Sequence, residues 1–174
     1  MIWWTSLPTS IKKKKSNVQL LNVPVYAIEE AKDLPPDSIL ISIQEEHGEK
    51  AKLEHISCPT LVIQASDVET ALTLENGNTL YPMSDTQVES ILNFVDTHFQ
   101  AKFCIVHCAA GVSRSASVVL GLHAVRDHAL PKNFWKYSLP KPTIVGLFVL
   151  VDGKTTDNDS EYDAITCARS WRNK

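Results

Sequence analysis

Apolar positions along this chain fall into short runs of two kinds, alternating or β-branched runs of five to nine residues and longer stretches with a helical period. Val18–Tyr26 alternates in part, and Pro24 within it confines such a strand to a sheet edge, because proline cannot donate to a ladder on both sides. Ala27–Asp33 has the composition of a short helix stopped by Pro35 and Pro36. Ser38–Ile43 and Thr60–Gln64 are β-branched runs typical of buried strands. From Asp67 to Pro82 the chain has turn chemistry at Asn76-Gly77-Asn78 and little pattern, which predicts a long loop. Ser84 or Asp85 then caps an amphipathic helix with Val88, Ile91, Leu92, Val95 and Phe99 on one face. Phe103–His107 is the strongest strand, and Ser115–Leu130 a helix ended by Pro131. Phe134–Tyr137 and Thr143–Val151 are apolar stretches predicted as helices, the second also compatible with a strand. Strands alternating with helices predict one α/β domain, a central, mostly parallel sheet flanked by helices on both faces. The expected domain spans residues 1–152, and the tail 153–174, polar and at first acidic as far as Asp163, has no pattern that fixes its order.

Composition narrows the function. With 174 residues, 44% of them apolar and 21% charged, the chain has the makeup of an ordinary globular domain. Seventeen basic against twenty acidic residues give a net charge of −3, which argues against stable nucleic-acid binding. The apolar runs fall far short of the ~20 residues that span a bilayer, so no membrane span is expected. The start shows no basic, apolar export signal, so a cytoplasmic location with reduced thiols is expected. Cys58, Cys104, Cys108 and Cys167 form no Cys-x-x-Cys pair, and no Cys/His spacing calls for a metal. Lys12–Lys15 is expected to be a solvated charge run, and Trp3 with Trp4 either core packing or a docking patch.

The chemistry concentrates in Val106–Ser115. A strand delivers Cys108 at its C-terminal end, small residues follow, and a helix starts at Arg114 or Ser115. Backbone amides curling into a helix N-terminus form an anion nest that the helix dipole reinforces. Ala109, Ala110 and Gly111 are small enough for those amides to converge, with Val112 and Ser113 completing the loop. Arg114 adds a planar fork able to grip two phosphoryl oxygens. The same positive field favours the Cys108 thiolate, the nucleophilic form. Ser115 is placed to hydrogen-bond that sulfur and ease its later departure. His107, beside the nucleophile, is expected to orient the loop by hydrogen bonding.

This stretch, His107-Cys108-Ala109-Ala110-Gly111-Val112-Ser113-Arg114-Ser115, resembles the signature loop of the cysteine-dependent protein tyrosine phosphatases, and within them the small dual-specificity branch. The resemblance extends over about Ser38–Leu130 and implies a metal-free, cofactor-free phosphatase working through a phosphocysteine intermediate. It also implies a carboxylic acid on a separate loop to protonate the leaving oxygen. Asp67, just after a strand, stands where the branch carries that acid, although 41 residues before Cys108 is a longer gap than usual. Asp85, 23 residues before, fits a helix start instead. The loop's variable positions, Ala109, Ala110, Val112 and Ser113, lack the lysines of the inositol-lipid phosphatases, and the loop differs from that of the RNA 5′-triphosphatases. A phosphoprotein substrate is therefore expected. The alternatives are a non-protein phosphoester (an RNA 5′-phosphate, a nucleotide or a phosphoinositide) and a pseudophosphatase that binds phosphoproteins without turnover.

Overall fold

The computed structural model describes residues 18–152; the Lys12–Lys15 run, Trp3, Trp4, Cys167 and the tail from residue 153 lie outside the described residues. Four parallel strands form the sheet in the order β1 (Gln19–Pro24), β6 (Phe103–Cys108), β2 (Ser38–Gln44), β3 (Thr60–Gln64). Every residue of β2 is buried, as an unbroken β-branched run in an interior strand requires. Strand β1 is an edge strand, with Pro24 at its last position opposite Cys108. Between β1 and β2 the chain passes over β6 through α1 (Val25–Glu29), and from β3 it returns to β6 through α2 (Asp85–Thr97). The chain thus enters β6 between two strands already laid down, and its C-terminal end opens at a crossover of the kind where α/β sheets bind ligands.

Alternation along the strands sorts the core into two faces. Cys104, Val106, Ile41 and Ile43 pack with Val88, Ile91 and Val95 of α2, with α3 (Arg114–Arg126), and with Ile144, Val145 and Phe148 of α5 (Pro142–Asp152). On the opposite face Leu40 and Ile105 pack with Ile28 of α1, with Leu21, Val23 and Phe103 of the neighbouring strands, and with the loop residues Leu34, Leu53, Ile56 and Cys58. Helices α3 and α5 approach closely at Gly121, where a Cβ would stand 2.5 Å from the fully buried Phe148 ring.

Several expectations shift. The first helix starts two residues early and ends at Glu29, well before the prolines. The segment after Asp67 holds a small hairpin, β4 (Leu72–Thr73) and β5 (Thr79–Leu80), closed by Gly77 at φ 84°. Two-residue strands are too short to leave a periodic signal. Ser84 caps α2 in a reciprocal box with Gln87, whose side chain also donates to the Gln64 carbonyl at 2.6 Å. Phe99 lies beyond the end of α2 and is 72% exposed, so it is not part of the helix's buried face. Helix α3 ends at Arg126, four residues before Leu130, because Asp127 turns left-handed at φ 54°. Phe134–Tyr137 forms the short helix α4, and the ambiguous last stretch is the helix α5.

Candidate active site

The loop 109–113 joins the C-terminal end of β6 to the N-terminus of the 13-residue helix α3. That junction sets the positive end of a helix macrodipole behind Cys108. Backbone contacts from two directions hold the loop. Val25 N–H donates to the Ala109 carbonyl at 3.2 Å, and Leu139 N–H to that of Val112 at 2.8 Å. Asn22 Nδ2 donates to the Gly111 carbonyl at 2.7 Å and to Ser138 Oγ at 3.2 Å. Gly111 takes φ 70°, and a Cβ there would come within 2.7 Å of the Pro24 nitrogen. Glycine is needed at this position for its conformation and for the close approach to β1.

Cys108 is buried, with Sγ 3.1 Å from Ser115 Oγ. Arg114 is also buried; its Nη1 donates to Glu45 Oε1 at 2.7 Å and to the Ala65 carbonyl at 2.8 Å. Its Nε, also buried, meets no acceptor. One edge of the guanidinium is thus fixed to the protein while the other keeps an unsatisfied donor, an arrangement suited to a ligand oxygen.

Asp67 lies three residues past the end of β3, its side chain 44% exposed. Oδ1 accepts from Ser113 Oγ at 3.0 Å and pairs with Lys141 Nζ at 2.8 Å. Burial pushes the carboxyl upward, but the hydrogen bonds from Lys141 and Ser113, with the charges of Lys141 and Arg114, outweigh it and hold Asp67 below the usual carboxylate range.

These groups line one cavity of about 760 Å³, formed by Glu45, Asp67, Cys108, Ala109, Ala110, Val112, Ser113, Arg114, Leu139 and Lys141. Of the remaining residues expected at the site, Ser115 sits behind Cys108 and Gly111 faces β1, supporting the loop from outside the cavity. His107 does not line the cavity: it is buried and precedes Cys108 on β6, where successive side chains take opposite faces, and its contact with the loop is a hydrogen bond with the Cys108 backbone. Burial pushes its imidazole down to about 4, against smaller opposing effects of the Cys108 backbone and Glu29. Asp85 occupies the first turn of α2 and does not reach the cavity.

Glu45, Lys141 and Asn22 were not singled out from the sequence. Glu45 directly follows the buried run of β2, and the tendency of α/β sheets to bind at strand C-termini is a signal that points to it. Lys141, between two prolines, and Asn22, inside an edge strand, carry no such local signal. Cys104 is wholly buried, and burial pushes its thiol up to about 12. Cys58 belongs to the opposite face of the sheet.

No family model and no curated protein matches the chain. Among solved structures it is similar to a human tyrosine phosphatase-like serine/threonine/tyrosine-interacting protein, at 18% identity and a TM-score of 0.40 over 75% of this chain and 78% of that one. It is also similar to DUSP15, at 15% identity and a TM-score of 0.39 over 76% of this chain and 78% of that one. The similarity to Tk-PTP in its active form has 12% identity and a TM-score of 0.38, over 92% of this chain and 99% of that one. Similarities this loose transfer neither activity nor residue roles.

Proposed function

We propose that the protein is a cysteine-dependent phosphatase of the tyrosine/dual-specificity type that hydrolyses phosphomonoesters on proteins. The observation that supports this reading is the convergence of Cys108, Arg114 and Asp67 on one cavity at the N-terminus of α3. The Cys108 thiolate attacks phosphorus and forms the S–P bond as the P–O bond to the leaving group breaks. Asp67 gives its proton to the departing oxygen. Loop amides and the free edge of Arg114 hold the three phosphoryl oxygens while charge shifts among them. Water, losing a proton to Asp67, then attacks phosphorus and expels the sulfur, which the Ser115 hydroxyl stabilises as thiolate. No membrane-spanning helix is found among the described residues.

An aryl phosphate assay tests the reading. The wild type should turn the ester over through a cysteine-bound phosphate, and Cys108→Ser should abolish turnover while phosphate still binds. Asp67→Asn should lower kcat roughly 10²–10⁴-fold for an alkyl or tyrosyl phosphate, the range of general acid catalysis, and much less for a strongly acidic phenol. Asp85→Asn should leave kcat unchanged. Binding without turnover by the wild type would establish the pseudophosphatase instead.

A further inference from the structure

The hydrogen bonds around Asp67 close into a ring. Lys141 N–H donates to Ser117 Oγ at 2.7 Å, and Ser117 Oγ donates to the Ser113 carbonyl at 2.8 Å. Ser113 Oγ then donates to Asp67 Oδ1 at 3.0 Å, and Lys141 Nζ returns to the same oxygen at 2.8 Å. Ser117 belongs to α3, so the lysine is tied to the helix that carries the phosphate loop. Lys141 is only 6% exposed, yet it lines the cavity.

The phosphoryl transfer described above gives this buried cation no task. Arg114 and the loop amides hold the phosphoryl group, and Asp67 supplies the proton. Its contact even opposes the acid, since a carboxylate paired with Lys141 has no proton to donate. A substrate anion placed against Nζ resolves the conflict, because the lysine can exchange one carboxylate for another without leaving a buried charge unpaired.

We propose that Lys141 is a specificity-determining residue: it takes an acidic or phosphorylated side chain flanking the scissile phosphate of a peptide, and in doing so releases Asp67 to act as the acid. The inference rests on the phosphatase reading. The groups that face Asp67 are few: Cys108, Ser113 and Arg114 from the loop and helix α3, Glu45 from the end of β2, and Lys141 from the segment before α5. Two cations, each paired with a carboxylate, thus line the cavity, so an entering anion must replace a carboxylate at its cation, and a polyphosphorylated ligand would meet Glu45 and Asp67 without surplus positive charge to hold it.

The test compares tyrosine-phosphorylated peptides identical except for a neighbouring Ala, Glu or phosphoserine, with wild type, Lys141→Met and Lys141→Arg. The wild type should favour the acidic neighbours in kcat/KM by about tenfold or more, the scale of one charge-assisted hydrogen bond. Lys141→Met should lose the preference, and Lys141→Arg should restore most of it. The loss of kcat/KM at rising pH, which tracks deprotonation of the free acid, should move to higher pH in Lys141→Met with every peptide. An unchanged preference in Lys141→Met would overturn the inference while leaving the phosphatase reading intact. A wild type that prefers triphosphorylated RNA or a polyphosphoinositide to the acidic peptides would overturn the inference together with the protein substrate, and leave the cysteine-dependent chemistry standing. Turnover of none of the peptides nor of an aryl phosphate would remove both.

Discussion

At the residue scale, Arg114 joins two tasks in one side chain. Its Nη1 holds Glu45 and the Ala65 carbonyl, which fixes the plane of the guanidinium, while the buried Nε stays without a partner. A lysine offers a single point of charge and cannot bridge both sides. Arg114→Lys should therefore lower kcat nearly as far as Arg114→Ala, by about 10²-fold or more, as for loss of a transition-state donor. Steady-state kinetics on an aryl phosphate checks it; a Lys variant that keeps most of the wild-type rate would show that charge alone suffices. Asp67 shows a similar double dependence. A proton on its carboxyl is what the leaving group needs, while Lys141 and Ser113 favour the carboxylate, so turnover of simple monophosphates should decline as pH rises from the acidic side.

At the element scale, the approach of α3 to α5 depends on the missing side chain of Gly121. In an exposed helix, Gly→Ala gains about 1 kcal/mol from backbone entropy. Here the new methyl would stand 2.5 Å from two atoms of the fully buried Phe148 ring. Overpacking of this kind typically costs about 1–3 kcal/mol, so the steric term wins and Gly121→Ala should be destabilising. Urea denaturation measures this, and adding Phe148→Leu should recover part of the loss. A Gly121→Ala protein as stable as wild type would mean that the two helices part easily. The same three-helix face is joined by Arg126 of α3, which pairs with Asp96 of α2 through two 2.8 Å contacts and with Asp152 of α5. Asp96, Arg126 and Asp152 thus tie the ends of three helices where the apolar contacts give out.

At the scale of the whole molecule, buried histidines should set the acid stability. Burial pushes both His107 and His128 down to about 4; near His128 the Arg126 charge adds to this, against smaller effects of Asp96 and Asp127. Unfolded, the same imidazoles titrate near 6.5. Between these values the unfolded chain binds more protons than the folded one, so stability must fall as pH drops from about 6.5 toward 4. The loss should level off once the folded protein also takes up the protons. Its size is on the order of a few kcal/mol for the pair. Denaturation midpoints at pH 7, 5.5 and 4.5 would reveal it, and His128→Gln should flatten its share. A midpoint constant across that range would show that these rings are solvated in the folded state.

What the chain alone determined is what neighbours in sequence can encode. Cys108 through Ser115 are contiguous, and their strand–loop–helix setting follows from local period and small residues, so the loop, its cysteine and its arginine were legible before any fold was known. So were the Pro24 edge strand and the Ser84 cap, each a property of one backbone position. Tertiary structure decided which groups meet across elements. Glu45 reaches Arg114 from the end of β2, and Lys141 reaches Asp67 from the segment before α5. Neither pairing leaves a periodic trace, because periodicity records only the face a residue takes on its own element. The same limit explains His107, whose place beside Cys108 in sequence suggested a place at the cavity, while the alternation of β6 turns neighbouring side chains to opposite faces of the sheet. It explains Phe99 too: its spacing continues the helical stripe, but the backbone leaves the helix at His98 before that residue can join it.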